Sequence, residues 1–289
     1  MKTKMADVIK FFTRSPWSAK LGLAIITLNI FCALFAPALA PYSETEIAGD
    51  VWEPPIWSED AIPHDTPVIL GTDHIGRDLF SRLMFGARNT ITLAFVTTAL
   101  AFFVGSIGGF MAATLKGWVD QTLSRVVDIL MAFPTLILAL VILSVMGTSI
   151  PVLIFVIALI DSTRVFRISR AVAMDIEVME YVEASRLRGE GLWWVMKEEI
   201  LPNALSPLVA EFGLRFCFVF LFISSLSFLG LGLQPPLADW GSMVRENSSA
   251  ISFGILTPLI PAAAIAFLTV GVNLVVDWFL HRASGIKDV

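Results

Sequence analysis

The sequence predicts an all-α membrane protein with six transmembrane helices and one polar helix-turn-helix segment between the fourth and fifth. Hydrophobic residues make up 56% of the 289 positions and charged residues only 16%, whereas soluble domains contain about 25% charged residues. The apolar residues fall in blocks, and a helix of about 20 such residues spans a bilayer. The polar segment, residues 175–203, carries many of the charges, and we call it the elbow.

Six apolar blocks define the predicted spans, at residues 21–41, 89–115, 121–146, 150–168, 206–232 and 254–280. Gly105, Gly108 and Gly109 in the second block are small residues that let helices approach closely. Pro134 predicts a kink in the third span. A tight turn at Gly147-Thr148-Ser149 separates the third span from the fourth.

The first block has one alternative interpretation, a cleaved signal peptide. Basic residues precede it, and Ala38-Leu39-Ala40 imitates a cleavage site. The apolar core of a signal peptide is only about 7–15 residues long, which is shorter than this block. We therefore expect an uncleaved span, and cleavage would leave the orientation of the other five unchanged.

The distribution of lysine and arginine predicts the orientation, because cytoplasmic loops are enriched in both. Residues 42–76 contain neither. Basic residues lie before the first span, between the fourth and fifth, and after the last: Lys2, Lys4, Lys10, Arg14, Lys20, Arg164, Arg167, Arg170, Arg186, Arg188, Lys197, Arg282 and Lys287. Both termini are therefore predicted to be cytoplasmic. Arg77, Arg82 and Arg88 are exceptions, which we interpret as flanking an interfacial helix.

These predictions divide the chain into five parts. They are a cytoplasmic N-terminal segment at 1–20, the first span at 21–41, an extracytoplasmic segment with the interfacial helix at 42–88, a five-helix core at 89–281 that contains the elbow, and a cytoplasmic tail at 282–289. A second outer loop is expected at 233–253. The stretch 42–67, rich in Pro, Trp and acids, is predicted to be a non-helical loop that packs over the outer mouth.

The elbow is predicted to be two short helices joined at a glycine. Residues 175–187 (DIEVMEYVEASRL) contain no Gly or Pro. Gly189 suits the left-handed backbone that ends a helix. A second helix is predicted from Leu192 to Ile200, after which Pro202 restarts the chain into the fifth span. From composition alone, a solvated loop helix explains the segment about as well as a docking element.

The spacing within the elbow resembles the "EAA" loop of ATP-binding-cassette (ABC) importer permeases. That pattern is Glu-Ala-Ala, three residues, Gly, nine residues, Ile, one residue, Leu-Pro. Here Glu183-Ala184-Ser185, Gly189 and Leu201-Pro202 follow it in register. The stretches 70–88, 131–140, 200–205 and 227–244 resemble the C-type permease subunit of dipeptide, oligopeptide and nickel importers.

The elbow departs from the family pattern at three positions. Ser185 replaces the second Ala, and Arg188 stands where peptide-type members often carry an apolar residue. Glu199 occupies the Ile position, with Ile200 one place later. We interpret the charges of Arg188, Glu198 and Glu199 as a match to a particular ATPase partner.

The resemblance implies the type I ABC importer permease fold, with the elbow as the coupling helix that seats on the ATP-hydrolysing subunit. The implied coupling residues are Glu183, Ala184, Ser185, Arg188, Gly189, Glu199, Leu201 and Pro202. The implied partners are a second homologous permease subunit, two ABC ATPase subunits and an extracytoplasmic solute-binding protein, all at a bacterial inner (cytoplasmic) membrane. We expect the binding protein to contact Gln234, Pro235, Asp239 and Trp240.

Several other chemistries are not expected in this chain. No stretch of the sequence fits the phosphate-binding pattern G-x-x-x-x-G-K-[ST], so ATP and Mg are expected on the partner ATPase subunits, and no cofactor here. Cys32 and Cys217 lie in separate apolar blocks and the three His are scattered, which gives no metal site. No basic patch with interleaved aromatics is present in the sequence, so nucleic acid is not an expected partner.

The predicted function is the membrane-spanning permease subunit of an ABC importer, which forms half of the pathway for dipeptides, oligopeptides or a similar small solute. The alternative is an ion-coupled secondary transporter that works without an ATPase. Such a carrier favours paired acids deep in broken helices, and the sequence suggests none. A membrane enzyme is a third possibility, but the sequence lacks a base and nucleophile that could meet. Nickel, glutathione and sugars stay open as cargo.

Overall fold

The computed structural model describes residues 16–59, 62 and 68–283, and side chains as far as residue 281. The predicted terminal cations Lys2, Lys4, Lys10, Arg14 and Lys287 lie outside the described residues, as does the side chain of Arg282. The described part of the chain is helical and has no β-strand, only two isolated bridges.

Ten α-helices follow one another along the described chain. They are α1 Trp17–Leu39, α2 Leu79–Leu115, α3 Gly117–Met131, α4 Thr135–Met146, α5 Ile150–Glu177, α6 Glu180–Leu187, α7 Leu192–Trp194, α8 Leu201–Phe228, α9 Trp240–Glu246 and α10 Leu259–Ala283. A π-helical turn, Val195–Ile200, joins α7 to α8, and a 3-10 helix, Ser248–Phe253, follows α9.

Four helical stretches are long and apolar enough to cross a membrane: Trp17–Leu39, Leu79–Leu115, Leu192–Phe228 and Leu259–His281. Helices α3 and α4 count as a fifth span if taken together. The remaining predicted span corresponds to α5, which is 28 residues long. Its first 18 residues contain Asp161, Arg164 and Arg167, so composition alone does not qualify it as a span.

The kink predicted at Pro134 is confirmed. Helix α3 ends at Met131, α4 begins at Thr135, and the two helices meet at 88°. Proline lacks the backbone donor that a continuous helix needs, and it disfavours helical backbone at the residue before it. The predicted turn between the third and fourth spans is also present, and Gly147 there has a φ of +86°.

The chain forms two compact units. Unit 1 comprises Met1–Leu93 and Phe220–Val289, and unit 2 comprises Ala94–Val219. Within unit 1, α1 packs on α10 through two glycines. A Cβ on Gly22 would lie 2.6 Å from the carbonyl oxygen of Gly271, so only glycine permits this approach. This packing makes α1 part of the folded unit.

The helix predicted to lead into the second span is present, and its position at the membrane interface stays a prediction. The described residues between α1 and α2 are non-helical, and residues 79–88 form the first turns of the continuous helix α2. Arg77 and Arg82 are buried, whereas Arg88 is exposed. The sequence did not show their burial, because one of their two acidic partners, Glu246, lies more than 160 positions later.

Those partners form an outer charge cluster of Asp73, Arg77, Arg82 and Glu246. The Arg82 guanidinium lies 2.5 Å from Asp73 Oδ2 and 3.0 Å from Glu246 Oε2. Arg77 lies 2.7 Å from Asp73 and 3.0 Å from Glu246. The two positive and two negative charges balance. They join the segment that precedes α2 to the start of α2 and to α9 within unit 1.

Within unit 2, α2 crosses α5 at the glycines that the sequence singled out. A Cβ on Gly105 would lie 2.6 Å from the Ser162 carbonyl oxygen, and one on Gly109 would lie 2.8 Å from the Arg170 nitrogen. Gly108 faces only the Phe166 ring, at 3.3 Å. The predicted close helix approach is therefore confirmed at Gly105 and Gly109.

Candidate functional site

The first arm of the elbow is helix α6, and it ends as predicted. Helix α5 runs to Glu177, and α6 begins at Glu180 after a short break. Gly189 has a φ of +84°, and its N–H donates to the Arg186 carbonyl at 2.9 Å. This left-handed glycine ends the helix and turns the chain, as its position in the sequence predicted.

The second arm differs from the prediction, because Pro202 does not restart the chain. The helix that begins at Leu192 continues through the π-helical turn into α8, which makes one stretch of 37 residues to Phe228. Pro202 has no backbone N–H to donate. The π-helical turn just before it has wider-spaced backbone hydrogen bonds than an α-helix. The Asn203 side chain donates to the Glu199 carbonyl at 2.7 Å, which satisfies an acceptor close to the proline.

A hydrophobic core holds both arms against the membrane helices of unit 2. Val182 of the first arm is buried against Val195, Met196 and Ile200 of the second. The other buried members of this core come from α2, α5 and α8: Phe110, Ala113, Ala173, Ile176, Ala204 and Leu208. The elbow is therefore a packed element and not a loose loop helix.

A buried carboxylate anchors the first arm to the turn between α2 and α3. Glu177 lies 2.6 Å from Lys116 Nζ and 2.7 Å from the Arg186 guanidinium. Arg186 also donates to the Thr114 carbonyl at 3.1 Å. The sequence did not reveal this anchor, because Lys116 and Thr114 lie more than 60 positions before Glu177 and Arg186 in the chain.

The exposed side of the first arm carries apolar side chains that no other described part of the chain covers. Val178 is 76% exposed and Leu187 is 83% exposed, and Met179 and Tyr181 are also exposed. Glu180, Glu183 and Ala184 are exposed on the same arm. We call these seven residues the docking face. A rigid element that presents apolar side chains among acids is suited to seat in a groove of another protein.

The charges at the family departures do not face outward as a set. Ser185 Oγ donates to Glu199 Oε1 at 2.6 Å and accepts from the Arg188 guanidinium at 2.8 Å. Ser185 is fully buried, and the Glu199 side chain is 18% exposed. Arg188 and Glu199 therefore have contacts inside the elbow, but the Arg188 side chain is 57% exposed, and the charge match to a partner stays a prediction.

The other predicted coupling residues lie where a partner could reach them. Glu183, Ala184 and Gly189 are exposed on the first arm and the turn, and Leu201 and Pro202 are exposed at the start of α8. The structure brings Ser185, Arg188 and Glu199 into contact, but it does not bring all eight residues to one surface. Their shared role in coupling stays a prediction.

The predicted binding-protein contacts divide into two pairs. Gln234 and Pro235 are exposed, and their contact stays a prediction. Asp239 and Trp240 are buried, so the prediction that they touch a partner is wrong. Asp239 caps α9 by accepting from the backbone N–H groups of Gly241 and Ser242 at 3.0 and 3.1 Å, and burial raises the pKa of its carboxyl group. The Trp240 indole donates to the Leu83 carbonyl at 3.0 Å.

A buried ionic group joins α5 to α8 inside unit 2. Arg215 lies 2.6 Å from Glu211 on its own helix and 3.8 Å from Asp161 on α5. In the sequence these charges appear as isolated residues, because the pattern within one helix does not show which helices are neighbours. Charged groups within spans normally face a bundle interior or a cavity, and here an arginine offsets the two acids.

One group of side chains has the composition of a metal site. The ligand atoms of Asp73, His74 and Glu246 lie within 4.8 Å of one another. Arg77 and Arg82 already donate to both carboxylates at 2.5–3.0 Å. Two guanidinium groups occupy the position that a cation would take, which argues against metal binding there.

The apolar helices and the packed elbow describe a polytopic membrane protein, and comparison with known proteins gives its family. The description "Binding-protein-dependent transport system inner membrane component" matches residues 105–283, which contain the elbow. The chain belongs to this family. It is a membrane-spanning permease subunit of an ABC importer and a multi-pass membrane protein, and the comparisons do not support the ion-coupled carrier.

Several curated relatives match over most of their length. The di/tripeptide transport system permease protein DppC of Pseudomonas aeruginosa is 34% identical over 89% of this chain and 84% of that protein. The dipeptide transport system permease protein DppC of Escherichia coli is 34% identical over 95% and 91%. The glutathione transport system permease protein GsiD of Pectobacterium atrosepticum is 31% identical over 72% and 69%.

A solved structure supports the fold. A crystal structure of an amino acid ABC transporter with histidines superposes with a TM-score of 0.53 at 19% identity, covering 70% of this chain and 94% of that one. At this identity, the likeness establishes the type of fold and nothing about cargo.

Proposed function

We propose that this permease subunit carries short peptides, di- and tripeptides first, across a bacterial inner membrane. Two relatives that align over most of both chains are named for di/tripeptide and dipeptide transport. In this proposal a second, homologous permease subunit forms the other half of the pathway, and an extracytoplasmic binding protein delivers the peptide. Both termini of this chain are cytoplasmic.

Two ATPase subunits would supply the energy, with ATP and Mg bound to them and not to this chain. The main support for the proposal is that the docking face is exposed on an elbow whose other side is packed. Its apolar side chains are exposed, while the hydrophobic core and the Glu177 anchor hold the rest of the arm in place. A partner that moves this face would move α5 and α8, because the elbow continues into both. The helices would then move as rigid bodies between two conformations of the transport pathway, as in other switching proteins.

The docking face also suggests the chemistry of the groove that receives it. Glu180 and Glu183 are exposed beside Val178, Met179 and Leu187. An apolar groove rimmed by arginine or lysine would complement this surface, since electrostatic complementarity gives specificity and raises association rates.

Reconstitution tests the cargo and the energy source together. The permease pair, the two ATPase subunits and the binding protein should accumulate a labelled dipeptide in vesicles when ATP is supplied. Omission of the ATPase subunits should abolish uptake even with a proton or sodium gradient present. Uptake driven by a gradient without the ATPase subunits would contradict the proposal, and uptake of another solute in preference to dipeptides would contradict the cargo.

Gly189→Val should reduce transport per ATP hydrolysed while membrane insertion persists. The φ of +84° strains any β-branched residue, at a cost of about 1–2 kcal/mol, and relief of the strain would change the turn between the arms. Gly191→Val is the matched control, because Gly191 has an ordinary φ of −77° and open space where a Cβ would lie. Uptake and ATP hydrolysis are measured in the same vesicles. Equal coupling in the two variants would contradict the role given to the turn.

A further inference from the structure

The three departures from the EAA pattern meet in one cluster, although they are up to 14 positions apart in sequence. We call Ser185, Arg188 and Glu199 the latch. Ser185 belongs to the first arm, Arg188 follows the end of that arm, and Glu199 belongs to the π-helical turn of the second. The latch therefore links the two arms by side chains alone.

Each polar group in the latch has a defined partner. The Ser185 hydroxyl has one proton, and the short 2.6 Å contact gives it to Glu199 Oε1, while the same oxygen accepts from Arg188 at 2.8 Å. Hydrogen bonds to ionised groups are about twice as strong as neutral ones. Because Ser185 is fully buried, loss of its acceptor would leave the hydroxyl dependent on the longer 3.0 Å bond to the Tyr181 carbonyl.

Arg188 extends the latch to the turn and to the start of the second arm. Its guanidinium lies 4.0 Å from both Glu190 and Glu199. It also lies 5.8 Å from the centre of the Trp194 ring, within the range of a cation–π contact. One side chain thus contacts the first arm, the turn and the second arm.

Backbone hydrogen bonds from Gly189 N–H to the Arg186 carbonyl and from Glu190 N–H to the Ser185 carbonyl hold the turn at the end of the first arm. Nothing lies within 4 Å of a Cβ placed on Gly189 or Gly191, so no neighbouring atoms pack against the turn at these points. The hydrophobic core fixes the arms on their buried side, and the latch is the polar connection between them in the described part of the elbow. The π-helical turn that carries Glu199 is an unusual geometry that often marks functional positions.

We propose that Ser185, Arg188 and Glu199 are positioning residues that hold the two arms at a fixed angle, so that displacement of the docking face reaches α8 as well as α5. This inference rests on the proposed function, because coupling to ATP is its readout. It gives Arg188 and Glu199 a role inside the elbow, in addition to any contact of the exposed Arg188 side chain with a partner. Loss of the latch contacts should leave binding of the ATPase subunits intact, while fewer peptides are transported per ATP hydrolysed.

The test uses the complete transporter in vesicles, with permease pair, ATPase subunits, binding protein and a labelled dipeptide. Ser185→Ala and Glu199→Ile should each lower the number of peptides transported per ATP by about ten- to a hundredfold, the effect of losing one hydrogen bond to a charged group. The affinity of the ATPase subunits for the membrane should stay within twofold of wild type. Ser206→Ala is the matched control for Ser185→Ala, because Ser206 is exposed on α8.

Double substitution and conservative replacement separate positioning from general damage. Ser185→Ala with Glu199→Ile should be no worse than either change alone, since both remove the same bond. Arg188→Lys, which keeps a charged donor, should retain more coupling than Arg188→Met. Spin labels on Leu187→Cys and Lys197→Cys, in a chain without Cys32 and Cys217, should show a broader distance distribution when Ser185→Ala is added.

The outcomes distinguish the latch from the proposed function. Wild-type transporter that hydrolyses ATP without importing dipeptide would overturn the proposed function. Coupled wild type with equally coupled Ser185→Ala and Glu199→Ile would overturn the latch alone. Additive effects in the double variant, or weakened ATPase binding equal to the loss of coupling, would also overturn it.

Discussion

Arg82→Met should destabilise unit 1 by about 3–5 kcal/mol, because removal of one partner from a buried ion pair leaves the other charge uncompensated. Arg82 is 1% exposed, and its guanidinium serves both Asp73 and Glu246. Methionine fills a similar volume but donates no hydrogen bond. Arg77 would then face two carboxylates alone. Equilibrium unfolding of the purified subunit in detergent measures the change in free energy.

Arg88→Met is the matched control for this experiment. Arg88 lies on the same helix, α2, and is exposed, so the change should cost no more than about 0.5 kcal/mol. Addition of Glu246→Gln to Arg82→Met should recover part of the loss, because it removes the one negative charge that Arg77 leaves uncompensated. Equal stability of Arg82→Met and Arg88→Met would contradict the assignment of the outer charge cluster as a buried structural group.

Gly109→Ala should lower the free energy of unfolding, whereas Gly108→Ala should leave it unchanged or raise it slightly. A Cβ on Gly109 would lie 2.8 Å from the Arg170 nitrogen and from the Phe166 carbonyl oxygen. Both are backbone atoms of α5, so the helices would have to separate. Overpacking of this kind costs about 1–3 kcal/mol. The loss should reach transport as well, because α5 leads directly into the elbow.

A Cβ on Gly108 meets only the ring of Phe166, at 3.3 Å, and a side chain can adjust. Alanine also has a better helix propensity than glycine, by up to about 1 kcal/mol. Gly108→Ala should therefore be neutral or slightly stabilising. Thermal unfolding and dipeptide uptake of the two variants provide the comparison. If Gly109→Ala proved as stable as Gly108→Ala, the close crossing of α2 and α5 would be disproved.

Local signals in the sequence predicted the local features of the structure. Pro134 predicted the break between α3 and α4, and Gly189 predicted the end of the first arm, because each residue restricts its own backbone. Gly105 and Gly109 predicted a close helix approach, although not the identity of α5 as the neighbour. Recognition of the elbow likewise depended on residues within one segment.

Features that depend on distant partners could not be predicted in this way. Arg77 and Arg82 were placed at an interface because Glu246, more than 160 positions later, is invisible to any local pattern. The contact of Ser185 with Arg188 and Glu199 could not be predicted, because it depends on how the two arms of the elbow fold together. Pro202 was expected to break the helix, and the π-helical turn before it allows the helix to continue.

The central claim is that the docking face touches an ATP-hydrolysing partner, and Ala184→Cys tests it most directly. Ala184 is exposed on the first arm. In a chain whose Cys32 and Cys217 are replaced by alanine, the thiol should react with a membrane-impermeant maleimide only from the cytoplasmic side. It should also cross-link to the ATPase subunit in the assembled transporter, to an extent that changes with bound nucleotide.

Gln234→Cys, in the loop predicted to be outside, is the control, and it should show the reverse labelling and no cross-link to the ATPase. Labelling of Ala184→Cys from the outer side, or an assembled and transporting complex in which it never cross-links to the ATPase, would contradict the account.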